Sequence, residues 1–144
     1  MSSGQEKAQK LEALNEEYES LLAKKTSIQE QLESSNEERS TVSKNLSEAE
    51  QCLAHLVANL AEVKVELAKL HQADGGGDSE AINKHETTLV ASHNRVDQCR
   101  MKLEICRREG AMYAEKAHML QAKLAMISAQ SEEIAAVMQQ VSQN

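Results

Sequence analysis

The chain has 144 residues, a net charge of −7, no proline, no phenylalanine and no tryptophan, and its only aromatic residues are Tyr18 and Tyr113. Such a composition suits long helices and excludes a wide globular core. Because the basic residues are interleaved with acidic ones, the charge also argues against direct binding of nucleic acid, which needs clustered lysine and arginine.

The sequence indicates an intracellular protein without membrane insertion. No stretch approaches the about 20 consecutive apolar residues that span a membrane, and residues 1–6 hold no apolar core of a secretory signal. An odd number of cysteines, Cys52, Cys99 and Cys106, fits a reducing compartment because they cannot all pair within one chain. We therefore expect the protein in the cytoplasm or the nucleus.

The first predicted element is a helix over residues 3–73. Its repeating positions, at alternating spacings of three and four, are Leu11, Leu14, Tyr18, Leu21, Lys25, Ile28, Leu32, Ser35, Arg39, Val42, Leu46, Ala49, Leu53, Leu56, Leu60, Val63, Leu67 and Leu70. A mean spacing of about 3.5 residues keeps one narrow stripe toward a partner helix and is typical of a left-handed coiled coil. We call this stripe the seam.

The second predicted element is a loop over residues 74–79. Asp74 and the run Gly75–Gly77 end the first helix, and Asp78 or Ser79 caps the next one. Two interpretations of the glycines stay open. They form a natural tip, or they are an engineered linker that joins two distant helical segments.

The third predicted element is a helix over residues 80–143 with the same repeat. Its seam positions are Ile82, His85, Leu89, Ser92, Val96, Cys99, Leu103, Cys106, Gly110, Tyr113, Ala117, Leu120, Leu124, Ile127, Ser131, Ile134, Met138 and Val141. The sequence therefore predicts an all-α protein, a long antiparallel coiled-coil helical hairpin, and association of two hairpins into a four-helix dimer is a further option.

The register that closes the loop pairs Leu70 with Ile82, Leu56 with Val96, and Leu11 with Val141. It also predicts three interhelical ion pairs: Glu50 with Arg100, Lys64 with Glu86, and Glu38 with Lys116. A parallel homodimer of the second helix would instead oppose Arg95 to Arg100 and Lys102 to Arg107. The antiparallel hairpin is the main prediction, and fused segments of a parallel or heteromeric coiled coil are the alternative.

The middle of the seam is weak and is a candidate bend. In the predicted register Val42 faces Gly110, Arg39 faces Tyr113 and Ser35 faces Ala117, so three successive layers lack leucine and isoleucine. The candidate bend residues are Ser35, Arg39, Gly110 and Tyr113. In the other interpretation, Tyr113 fills the space left by its small neighbours, stacks under Arg39 and fixes the register.

An apolar row lies outside the seam of the second helix. Ile105, Met112, Met119 and Met126 recur every seven residues, each two residues after a seam position. Methionine on an exposed helical face is adaptable contact surface, so this row is a candidate interface for a second copy or for a protein partner. Scattered surface methionines are the alternative, since Gln98 and Glu133 continue the row at its ends.

The sequence gives no sign of an enzyme. It has no phosphate-binding loop, no paired-cysteine metal motif and no zinc-protease motif, and a two-helix seam offers no preorganised pocket. We expect no cofactor and no small-molecule substrate. His71, His85, Glu86 and His93 crowd the linker end, but His93 sits beside the seam and is angled away, so we expect no metal site.

The expected function is therefore a non-enzymatic structural or protein–protein interaction module: a scaffold, spacer or dimerisation segment of a larger assembly, with the form of a stiff helical rod. Through the heptads of both arms, the chain resembles in general outline the paired arms of chromosome-maintenance ATPases and the helical hairpins of kinetochore, tethering and cytoskeletal proteins. That resemblance implies an arm of such a complex as an alternative and carries over no functional residue.

Overall fold

A computed structural model describes residues 2–72 and 79–143, apart from the side chain of Ser2. It contains two α-helices, α1 (Ser2–Gln72) and α2 (Ser79–Gln143), which pack against each other. The prediction of an all-α helical hairpin is confirmed. Most of the predicted loop, including Gly75–Gly77, lies outside the described residues, so the question of its origin stays a prediction, and α2 begins at Ser79.

The two helices run antiparallel. Lys7, near the start of α1, donates a hydrogen bond from Nζ to the backbone oxygen of Ser142, near the end of α2, over 3.2 Å. At the opposite ends, His71 Nε2 lies 3.9 Å from Glu86 Oε1. Each contact joins one end of α1 to the other end of α2, which only an antiparallel pairing allows.

Burial follows the predicted seam. Every seam position of both helices is buried or half-buried except Arg39, whose side chain is exposed. Most other positions face solvent, because a helix that packs on one neighbour can cover only one stripe of its surface. Long charged side chains reach water even from a seam position, which accounts for Arg39.

The chain divides into two compact units. Unit 1 combines Met1–Arg39 with Met112–Asn144. Its buried residues are Leu21, Ser35, Ala117, Leu120 and Ser131. Two of these are serines whose hydroxyls find backbone acceptors: Ser131 Oγ donates to the Ser128 oxygen over 2.9 Å, and Ser35 Oγ donates to the Tyr113 oxygen over 3.5 Å. The two buried hydroxyls therefore do not lack hydrogen-bond partners.

Unit 2 comprises Ser40–Ala111. Its buried residues are Val42, Leu60, Ser92, Val96, Cys99 and Leu103, with Val96 only 2 % exposed. This unit contains more of the buried valine and leucine side chains than unit 1, so its contribution to stability rests on aliphatic burial.

The predicted interhelical ion pairs are wrong. Among the described residues, none of the pairs Glu50–Arg100, Lys64–Glu86 and Glu38–Lys116 forms, whereas Lys69–Glu66, Arg108–Glu104 and His71–Glu86 do form ion pairs. Two of these lie within one helix, and all three are more than half exposed. Exposed charges gain little from pairing in water, so the apolar seam and not charge sets the alignment.

Neither described helix contains a segment that is both long and apolar enough to cross a lipid bilayer.

Candidate functional site

The most prominent apolar surface of unit 1 is a row of methionines on α2. Met112 is 56 % exposed, Met119 is 55 % exposed and Met126 is 64 % exposed. Each follows a seam residue by two positions, a rotation of about 200° around the helix axis, so these side chains leave the surface that contacts α1. The prediction that these methionines are exposed is confirmed. Their role as an interface stays a prediction.

Small residues lie beside two of these methionines: Ala122, Ala125 and Ala129 are exposed next to Met119 and Met126. Between Met112 and Met119 the corresponding position is Glu115, which is exposed. Lys116, Lys123 and Glu132 are exposed nearby. We call Met112, Met119, Ala122, Ala125, Met126 and Ala129 the methionine face. Most of this face is apolar, as in the centre of an interface, although Glu115 interrupts it between Met112 and Met119.

The fourth member of the predicted row, Ile105, belongs to unit 2 and is 54 % exposed. Met101, four residues earlier on the same side of α2, is 67 % exposed. Sequence reasoning missed Met101 because it followed only one heptad position. The helical spacing of four residues between Met101 and Ile105 was a sufficient signal.

The structure places the four candidate bend residues in regular helix. Ser35 and Tyr113 meet through the hydrogen bond of 3.5 Å described above. Gly110 is half-buried, and Arg39 is exposed. The boundaries between the units fall after Arg39 and after Ala111, within the weak stretch. A bend at these residues stays a prediction, as does stacking of Tyr113 under Arg39.

The histidines near the predicted loop have local partners. The Nδ1 atom of His85 lies 2.9 Å from the backbone oxygen of Ala81, within hydrogen-bonding distance, and His71 lies beside Glu86. His93 is exposed. Within residues 2–72 and 79–143 no three histidine, cysteine, aspartate or glutamate side chains come together as metal ligands.

A cleft of about 410 Å³ lies between the helices of unit 2. Its lining residues are Asn45, Glu48, Ala49, Cys52, Leu56, Arg95, Gln98, Cys99 and Lys102. Two cysteines and two basic residues therefore share one site. Sequence reasoning missed this site because it did not compare Cys52 of α1 with the cysteines of α2. The predicted register gave the signal, since it sets Leu53 opposite Cys99 and hence places Cys52 beside it.

The chemistry of this cleft centres on Cys99. Its side chain is buried, and Sγ donates to the backbone oxygen of Ala49 over 3.5 Å. Burial raises the pKa of the Cys99 thiol above its ordinary value of 9.0, the adjacent Cys52 thiol raises it further, and Lys102 opposes the shift. Cys52 is exposed. The cleft thus holds one accessible thiol and one protected thiol.

A second cleft, of about 380 Å³, lies in unit 1 and is lined by Glu17, Leu21, Gln130, Glu133, Ile134 and Val137. In the described part of the chain, no buried side-chain nitrogen or oxygen lacks a hydrogen-bond partner. Neither cleft therefore contains an orphaned polar group that would call for a bound ligand.

No protein-family model, no curated protein and no solved structure matches this chain.

Proposed function

We propose that this chain is a non-enzymatic helical interaction module that associates with a second copy of itself through the methionine face. Because the seam is already occupied within the hairpin, the outer surfaces of the two helices remain for contact with another molecule, and α2 carries more of the exposed large apolar side chains. The exposure of Met112, Met119 and Met126 is the observation that supports the proposal. Contiguous exposed apolar side chains cost free energy in water and are typical of interaction sites.

A second copy suits this surface by symmetry. In a two-fold antiparallel contact centred on Met119, Met112 of one copy would lie against Met126 of the other, because both are seven residues from the centre. A heptad spacing also lets a further helix run alongside α2. The result would be a four-helix dimer, in which each hairpin supplies one inner face.

The expected association is weak. Stable interfaces bury about 800 Å² on each partner, more than three methionines and their alanine neighbours provide. The net charge of −7 on each copy adds repulsion. We therefore expect dimers to form as concentration rises, and more readily at high salt because salt screens the repulsion.

The same proposal places the protein inside the cell, in keeping with its three free cysteines. It assigns the protein the role of holding, spacing or joining parts of a larger assembly, without a cofactor, a small-molecule substrate or direct contact to nucleic acid. The acidic net charge supports the last point.

The test is sedimentation equilibrium over a wide range of protein concentration. Substitution of Met112→Glu together with Met119→Glu should abolish association and leave helicity by circular dichroism unchanged, because both side chains are exposed. A matched control is Val65→Glu together with Val90→Glu, which charges two residues of unit 2 that are 53 % and 60 % exposed. The control should associate like the wild type. A wild type that stays monomeric at all concentrations, or equal loss in both variants, would refute the proposal.

A further inference from the structure

Two cysteines from different helices share the cleft of unit 2. Cys52 belongs to α1 and Cys99 to α2, and both line the same space of about 410 Å³. The sulfur of Cys99 lies 3.5 Å from the backbone oxygen of Ala49, which is three residues before Cys52. The Cys99 sulfur therefore rests against the helical turn of α1 that carries Cys52.

We propose that Cys52 and Cys99 form a reactive dithiol, which exchanges with low-molecular-weight disulfides such as oxidised glutathione and closes an interhelical disulfide within unit 2. The site is a modification site for this chemical class, and its product is a covalent link between α1 and α2. It does not depend on the methionine face or on self-association.

The two thiols differ in burial, and this difference sets the order of the steps. Cys52 is exposed, so its thiolate attacks one sulfur of the small disulfide, forms a mixed disulfide and releases the first small thiol. The Cys99 thiolate then attacks the Cys52 sulfur and releases the second small thiol. The two protein thiols lose two electrons and two protons in total, and the small disulfide gains them as two thiols.

The surroundings support this order. Arg95 and Lys102 line the cleft and attract the carboxylates of oxidised glutathione, whereas Glu48 opposes this attraction. Lys102 also favours the thiolate of Cys99. Burial raises the pKa of Cys99, which favours Cys52 as the first nucleophile and makes closure by Cys99 the slower step at neutral pH.

The third cysteine is an internal control. Cys106 is half-buried on α2, seven residues after Cys99. Two turns of helix separate these two residues by about 10 Å along the axis, whereas a disulfide requires Cα atoms within about 7 Å. Cys106 therefore cannot pair with Cys99 without unfolding of α2, and it does not line the cleft.

The experiment treats the reduced native protein with oxidised glutathione at neutral pH, alkylates the remaining thiols and maps the peptides by mass spectrometry. Before alkylation, the expected product is lighter than the reduced protein by about 2 Da, the mass of two hydrogens. It should contain a Cys52–Cys99 link and an alkylated Cys106. Closure should be at least roughly tenfold faster than in denaturant, because the fold holds the two thiols together.

Two variants separate this route from chance oxidation. Cys106→Ser should close the link like the wild type. Cys99→Ser should stop at one glutathione on Cys52, and serine is tolerated here because Ser35, Ser92 and Ser131 already occupy buried seam positions. The proposal fails if the wild type retains glutathione on Cys52 without closing, if the main link involves Cys106 or a second chain, or if denaturant leaves the rate of closure unchanged.

Discussion

The Cγ1 atom of Val42 lies 3.6 Å from the position that a Cβ atom on Gly110 would occupy. This distance is an ordinary van der Waals contact, so the partner helix leaves room for a methyl group on α2. Gly110 is also within regular helix. The glycine is therefore not required by close packing, although it occupies a seam position.

The first prediction follows from this contact. Gly110→Ala should increase the free energy of unfolding by about 1 kcal/mol, because alanine favours the helical backbone and its methyl group contacts Val42. The measurement is the midpoint of urea unfolding, compared between proteins whose free energy of unfolding falls equally steeply with urea concentration. Gly4→Ala is a useful control, since a Cβ there would meet nothing within 4 Å and α1 starts only two residues earlier. If Gly110→Ala were less stable than the wild type, this part of the seam would require a glycine, which is the result expected for a bend at Gly110.

The second prediction tests the seam with two leucines of different exposure. Leu103 is 3 % exposed and Leu22 is 37 % exposed. Leu103→Ala should lower the free energy of unfolding by about 2–5 kcal/mol through lost burial and a new cavity. Leu22→Ala should change it by less than about 0.5 kcal/mol. Similar losses in the two variants would mean that Leu103 is not packed between the helices.

The third prediction concerns alkaline pH. The pKa of Cys99 is raised in the folded state above the ordinary thiol value of 9.0. At a pH well below that value, the thiol is protonated in both the folded and the unfolded state, so Cys99 contributes no pH dependence to the free energy of unfolding. Above that value the unfolded thiol ionises first, so the folded state binds more protons and stability falls as pH rises.

Urea unfolding of the wild type and of Cys99→Ser in a non-thiol reductant measures this effect. Between about pH 8 and about pH 10, the free energy of unfolding of the wild type should fall relative to that of Cys99→Ser. A difference that stays constant, or shifts in favour of the wild type, would mean that Cys99 is not buried as a thiol.

The fourth prediction concerns surface charge. Arg108 Nε donates to Glu104 Oε1 over 3.1 Å within α2, whereas Glu50 lacks an ion pair to Arg100. Glu104→Gln should therefore cost about 0.3–0.5 kcal/mol, the usual worth of such a pair within a helix. Glu50→Gln should leave the urea midpoint within error of the wild type. If Glu50→Gln instead lowered the free energy of unfolding more than Glu104→Gln, that result would support the ion pair between Glu50 and Arg100.

The heptad pattern was sufficient to predict both helices and the burial of the seam, and the register that closes the loop predicted their antiparallel packing. Apolar residues at spacings of three and four lie on one side of a helix, so the periodicity determines which side is buried. Arg39 is the exception, because spacing assigns a position to the seam without regard to the length and charge of the side chain that occupies it.

Charge and cysteine chemistry could not be predicted in the same way. The ion pair expected between Glu50 and Arg100 depends on rotamers of exposed side chains, which cost little to rearrange in water. The predicted register places Cys52 beside Cys99, but the cleft that both cysteines line depends on how the side chains around them pack, which periodicity does not describe. The exposure of Met112 and Met119, by contrast, follows from their distance from the seam.

The most direct test of the hairpin is a distance between two spin labels, placed by Lys7→Cys and Ser142→Cys in a protein whose three natural cysteines are changed to serine. The backbone oxygen of Ser142 accepts a hydrogen bond from Lys7 across the helices, so the antiparallel fold predicts a short distance that persists after dilution with unlabelled protein. A parallel pairing would separate the labels by roughly 100 Å, the length of the 65 residues of α2. Either such a long distance or a short one that disappears on dilution would contradict a hairpin closed within one chain.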